Sequence, residues 1–338
     1  MREDMSDYEA RAWSALLDNE RKRRNSLRAR AAGRVALVTK RAGERIRKVP
    51  GAVKVMEFGD ETIVKALEGG FKAVFLPAVR SASLDKRVEK LRRTHEDLGA
   101  ESPFTSLDLK DLDKGRPTLT IPFIGVVQSG VASVVVTGAT VSTTVSGGTT
   151  AGVAVLAVAS DAVMSMALLG RAVAEVAVHY GYDPREPGEE LFLMGVLNYS
   201  MASSSTSKTA ALASLSRLTQ TMMRRATWNQ LGKEPLVQVI QQIFKLLGLR
   251  LTKARLANVV PIAGGILAAG LSFTMLYSAV DDATRLYRAR YLADKHGLSW
   301  EEWVTEPAWG ADAAEPDATA VEIDGLIDEV TADKEEAG

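Results

Sequence analysis

Cysteine is absent from the 338 residues, which excludes disulfides, thiolate zinc sites and a cysteine nucleophile. Histidine is scarce as well. His95, His179 and His296 stand far apart in sequence, a poor arrangement for a His-based metal site. Aromatic residues make up only 6%, so Ala, Val, Leu, Gly, Ser and Thr carry most of the apolar surface, as suits closely packed helices. The chain has no G-x-S-x-G elbow, P-loop or G-x-G-x-x-G context. No catalytic residue, cofactor or metal is therefore expected. The first residues lack the basic-then-apolar order of a secretory signal. A cytoplasmic location follows as the expectation, peripheral to the inner face of the cell membrane rather than integral to it.

What is present is a globular composition, 46% hydrophobic and 25% charged, in a chain long enough for a substantial core. Net charge is zero, but it is unevenly spread. Between Arg21 and Lys48 stand twelve Lys or Arg against one acid, Glu44. Beyond Trp309 the chain is acidic and Ala-rich. The reading divides it into a basic N-terminal helix over 1–50, a helical domain over 51–305 and a disordered acidic tail over 306–338. The basic stretch favours anionic lipid over nucleic acid, because no aromatic set or recognition module accompanies it.

Local signals predict an all-α, multi-helix bundle with central Gly- and Ala-rich apolar helices. Ser6 with Glu9 forms a capping-box pattern opening a helix that runs toward Val49. A helical region from Asp60 to Ser81 is expected to break or kink at Gly69-Gly70 and Pro77. Ser83 starts the next helix, and a short helix with a turn at Gly115 follows. From Thr118 to Gly170 the only charge is Asp161. Val- and Thr-rich propensity there allows strands, while small residues at spacings of three and four suit a helical hairpin over 118–148, the reading preferred. Long helices are expected over Thr149–Tyr180, Pro187–Ser203, Thr209–Leu231, Pro235–Leu247, Thr252–Asn258 and Pro261–Ala293. A polar hinge, "SSSTSK", stands after the second of these. The ends "HYG" and "KHG" of two of these helices echo each other.

Val259–Val280 is uncharged over 22 residues, long enough to cross a bilayer at ~1.5 Å per residue. Its strong inserters contribute only about 0.3–0.6 kcal/mol each, and Gly, Ala and Ser dilute them. Basic residues flank both ends, so no positive-inside asymmetry sets an orientation. The segment is read as a helix buried by protein, with bilayer contact at its margins.

Two elements, "GVAVLAVASDAVMSMALLGRAVAEVAVHYGYD" and "VVPIAGGILAAGLSFTMLYSAVDDATRLYRARYL", resemble the EcsC protein family, bacterial proteins named for a gene beside an ABC transporter. Asp161 lies in the first element, and Tyr180, Gly181 and Asp183 look like the family's "YG-x-D". Pro261, Gly264 and Gly265 look like its "IP-x-x-G". The family's usual Asn in the second helix is replaced near Ser272 or Thr274. The resemblance spans roughly 37–297 and implies a non-enzymatic, membrane-associated accessory or regulatory protein, with a transporter-like integral membrane protein as a partner.

Asp161 is the sharpest candidate contact for a cation or lipid headgroup, set against an ordinary helix-surface Asp. Asp281 and Asp282 with Arg285 read as a solvated helix face. "SMASSSTSKT", with Lys208, reads as a polar interhelical loop. The alternative to an accessory protein is a soluble lipid-binding protein or hydrolase whose apolar pocket is anchored by Asp161.

Overall fold

The computed structural model describes residues 5–19, 52–95, 103–116, 150–202, 205–223, 233–259, 268–298, 323 and 325–327. Among them every regular element is helical, as the composition predicts. The hairpin expected over 118–148, the basic stretch beyond residue 19, and Pro261, Gly264 and Gly265 lie outside the described residues.

The chain opens with α1 (residues 7–19). The predicted capping box forms: Glu9 N–H donates to Ser6 Oγ at 3.2 Å, and Ser6 N–H to Glu9 Oε2 at 3.4 Å. The next helix, α2 (Ala52–Gly70), does not break at its two glycines. It passes into a π-helical turn, Phe71–Phe75, and then into α3 (Leu76–Arg80) with Pro77 in the first turn. The π turn lets Leu76 N–H reach Phe71 O. Proline, which has no N–H to donate, is thereby accommodated as if at a helix start, and the expected break is replaced by a register shift.

Ser83 caps α4 (Leu84–Thr94), accepting from Lys86 N–H at 3.4 Å. Two short helices follow, α5 (Pro103–Ser106) and α6 (Leu109–Asp113), the second capped by Asp108. The central helix is α7 (Thr150–His179), joined by α8 (Pro187–Met201), α9 (Ser205–Met223), α10 (Lys233–Val259) and α11 (Ala268–His296).

Helix α7 packs against α2, the π turn, α3, α8, α10 and α11. Small residues, Ala159, Ala162, Ala172, Ala174 and Ala177, give it a face that neighbours approach closely. At Gly170 an added Cβ would lie 2.5 Å from Phe75, so no larger residue fits there without displacing that ring. Phe75 stands with Phe71 and Phe244 in an aromatic knot, centroids 4.7–5.8 Å apart. Among the described residues Val158–His179 is one stretch long and apolar enough to cross a membrane, and 78% of its apolar window is packed inside the protein. That is the signature of a core helix.

Both α7 and α11 end on a left-handed glycine. Gly181 has φ 95° and Gly297 φ 59°. In each case the following N–H closes on a carbonyl five residues back, Tyr182 to Ala177 and Leu298 to Ala293, both at 3.0 Å. The echo seen in sequence is thus a shared way of stopping a helix.

Three expectations need correction. The hinge "SSSTSK" is shorter than expected, because α9 already begins at Ser205 and includes Lys208. The two helices expected over Pro235–Leu247 and Thr252–Asn258 are one, α10, which runs through Gly248 because Leu67 of α2 fills the space a side chain would need. The acidic tail is not wholly detached: Ile323 is fully buried in the core beside Gly195 and Leu215, with Leu326 and Ile327 packed near it.

Candidate functional site

Charged residues gather where the ends of α7 and α11 meet α1, α6 and α8. The spacing of α11 organises them. Arg288, Tyr291 and Lys295 recur at i, i+3 and i+7 and reach toward α1, α5 and α6. Tyr287, Arg290 and Asp294 repeat the same spacing on the side facing α8.

The first cluster centres on Asp113, whose side chain is 5% exposed. Its Oδ2 accepts from Tyr8 Oη and Arg288 Nη2, both at 2.7 Å. Its Oδ1 accepts from Tyr180 Oη at 3.1 Å, with Arg116 Nε at 3.3 Å. Burial and the neighbouring carboxylate push the Tyr8 and Tyr180 hydroxyls up from their ordinary range. Four donors on two oxygens leave Asp113 close to saturation. Beside it His179 Nε2–H donates to Leu112 O at 2.8 Å. Burial and the Arg87 charge lower its pKa to about 4, so the ring is neutral at pH 7.

The second cluster is built on Glu9. It accepts from Leu109 N–H at 3.1 Å and Lys295 Nζ at 2.8 Å, and lies 2.9 Å from His296 Nε2. Burial alone would raise the carboxyl pKa, but the Lys295, Leu109 and His296 hydrogen bonds hold it below the usual carboxylate range. Tyr291 Oη closes this end by donating toward Phe104 O at 2.9 Å and Leu107 O at 2.5 Å.

The third cluster lies inside. Arg290 places its guanidinium 4.1 Å from the Tyr182 ring centroid and 4.3 Å from that of Phe192. Its Nη1 donates to Glu189 Oε2 at 2.7 Å, and Tyr287 Oη donates to Glu189 Oε1 at 2.7 Å. Tyr182 Oη donates to Asp294 at 2.7 Å. Burial raises the Glu189 carboxyl despite the Arg290 charge. The adjacent Glu190, also raised by burial, takes a two-point bond from Arg80 of α3.

Residues 61–292 match the model of the EcsC protein family, more than half the chain. The chain belongs to the EcsC family. Neither the comparison with curated proteins nor that with solved structures found a match. The EcsC region ends inside α11 and begins inside α2, so α1 with Glu9 and its partners Lys295 and His296 lie beyond it, while Leu109 lies within.

The structure places the residues singled out in this EcsC chain as follows. Tyr180 is buried on Asp113. Gly181 is the left-handed helix stop, and a Cβ there would lie 2.6 Å from the Phe104 ring. Asp183 accepts from Arg185 N–H at 3.0 Å and from its guanidinium, which lowers its pKa. Tyr180, Gly181 and Asp183 therefore form one structural corner. Asp161 is exposed on α7 and does not face the core. Asp281 is half-exposed and lies 3.4 Å from Arg285.

Asp282, expected on a solvated face, has a fully buried side chain paired with Arg285 and with Lys208 Nζ at 3.2 Å. Lys208 also sits 4.4 Å from the Tyr199 ring. The reason is tertiary: the first turn of α9 brings a cation against α11, and only a buried carboxylate can neutralise it there. Asp113, Glu189 and Arg290 were not singled out from sequence, and Glu9 was read there only as the capping-box partner of Ser6. Arg290 alone had a signal, the i, i+3, i+7 repetition of polar residues at the end of α11.

Proposed function

We propose that this EcsC protein is a non-enzymatic accessory or regulatory protein that adsorbs to the cytoplasmic face of the membrane. The observation that carries the reading is the stretch from Arg21 to Lys48, twelve cations against one acid. It follows directly on α1, and α1 is tied to the folded domain through Glu9 and Tyr8. Cations held at an anionic surface contribute ~1 kcal/mol each near the lipid, so the twelve together can offset an association cost of about 4–15 kcal/mol through much of its range. The helical core supplies rigidity behind that anchor. Its buried carboxylates Glu9, Asp113 and Glu189 are each paired with cations and further donors, which suits fixed geometry better than proton transfer.

The test is co-sedimentation of the full chain with vesicles of phosphatidylcholine alone or mixed with phosphatidylglycerol, at low and high salt. The protein should pellet with the anionic vesicles only, and salt should release it. Replacing Arg21, Lys22, Arg23 and Arg24 by Gln should weaken the binding. Protein that stays in the supernatant with anionic vesicles at low salt overturns the proposal.

A further inference from the structure

Cations gather where α4, the turn after α6 and the end of α7 converge. Arg87 of α4 is half-buried, and among the described residues its side chain makes no hydrogen bond or ion pair; its Nε is buried without a partner. A Cβ at Gly115 would sit 3.7 and 3.8 Å from the two terminal nitrogens of Arg87 and 3.9 Å from His179 Cε1. The guanidinium therefore lies under the bare backbone of Gly115, beside the His179 ring. The next residue, Arg116, is exposed and leans on Asp113. Arg288 leans on the same carboxylate, and its own Nε is buried and unpartnered.

Asp113 cannot serve Arg87 as well, since its two oxygens already receive Tyr8, Arg288, Tyr180 and Arg116. Two guanidinium groups thus share one carboxylate, and the third, that of Arg87, is left without an anion. His179 is held neutral in their midst, so it adds no fourth charge. Buried cations ordinarily find an anion, and planar guanidinium groups match the oxygens of phosphate or carboxylate. Gly115 leaves the approach open where any side chain would stand over the Arg87 nitrogens.

We infer that Arg87 and Arg116, arranged around the bare backbone of Gly115, form a binding site for a phosphate group, free or on a lipid headgroup. Arg87 supplies the half-buried charge, Arg116 closes from the solvent side, and the His179 ring forms the wall. The site does not rest on the membrane reading, because it lies on the folded domain and takes a single oxyanion.

The experiment titrates the full-length protein with inorganic phosphate against chloride at matched ionic strength, and follows the three histidine Cε1–H resonances. The His179 resonance is the one absent from the His179→Gln spectrum. Phosphate should shift that resonance saturably. In Arg87→Gln the midpoint should rise by about tenfold or more, as expected for loss of a charge-assisted contact. Arg116→Gln, at an exposed position that leaves the core intact, should raise it as well. Lys110→Gln, exposed and outside the site, should not. No saturable shift, or a shift with the same midpoint in Arg87→Gln and Arg116→Gln, overturns the site. Vesicles of phosphatidylcholine with phosphatidic acid then distinguish the sources. Competition with inorganic phosphate for the His179 signal identifies a headgroup, and no competition identifies soluble phosphate. The Gln variant of Arg21–Arg24 should lose vesicle adsorption and keep the phosphate response, which separates failure here from failure of the membrane proposal.

Discussion

Replacing Glu189 by Leu leaves Arg290 with its side chain 9% exposed, wedged between two rings, and with Asp294 as the nearest carboxylate at 3.7 Å. Breaking a buried pair from one side costs about 3–5 kcal/mol. Asp294 is more exposed than Glu189 and already accepts from Tyr182, so it compensates little, and a loss of about 3 kcal/mol or more is expected. Part of that loss belongs to the Tyr287 hydroxyl, which also loses its acceptor and costs about 1–3 kcal/mol when left unpaired. The decisive comparison adds Arg290→Met and then Tyr287→Phe to the Glu189→Leu chain. The double variant should recover most of the lost stability, and the triple variant should approach or exceed the starting protein. Urea unfolding by circular dichroism of these chains and of Arg290→Met alone gives the five values needed, with a coupling of at least about 1 kcal/mol between positions 189 and 290. If Glu189→Leu alone costs under about 1 kcal/mol, the guanidinium has another neutralising partner and the reasoning fails.

Three further outcomes follow from the same geometry. His179 has a folded pKa of about 4 against 6.5 in the unfolded chain. Its contribution is complete above pH 6.5 and is lost as pH falls toward 4, a change of about 3 kcal/mol. The His179→Gln variant should flatten this part of the stability–pH curve, measured by urea midpoints. Gly181→Ala should cost about 1–3 kcal/mol because φ is 95° and the new Cβ meets the Phe104 ring at 2.6 Å; a thermal midpoint unchanged from wild type would contradict this. Glu9→Ala strands Lys295, His296 and the Leu109 N–H. Faster hydrogen exchange across residues 7–19, with α8 protected as before, is the expected result.

The backbone was legible wherever a local chemical rule decides the outcome. Ser6 with Glu9, Ser83 at the head of α4, Pro187 opening α8 and Gly181 closing α7 are each specified by residues within one turn. The π turn was not legible, because glycine and proline signal an interruption without saying whether the chain will break or change register. The site was less legible still. Helix α8 is buried on all sides from Glu189 to Tyr199, so its two glutamates lie on no polar face that periodicity could reveal. Asp282 resembles its neighbour Asp281 in sequence, and only the position of Lys208 in space separates the buried acid from the wet one. Arg87 gave no sign in sequence, since an arginine on a charged helix is ordinary until its partner is found to be absent.

The two outlying pieces of chain, α1 and the residues around Ile323, act as stoppers at separate openings of the helical domain. Excising residues 61–292 alone would uncork both. One opening would admit water to the peptide N–H of Leu109, the other to the apolar bed beside Gly195. A minimal folding unit for crystallisation or binding work must therefore keep residues from both ends, even though the segment shared with its relatives includes neither.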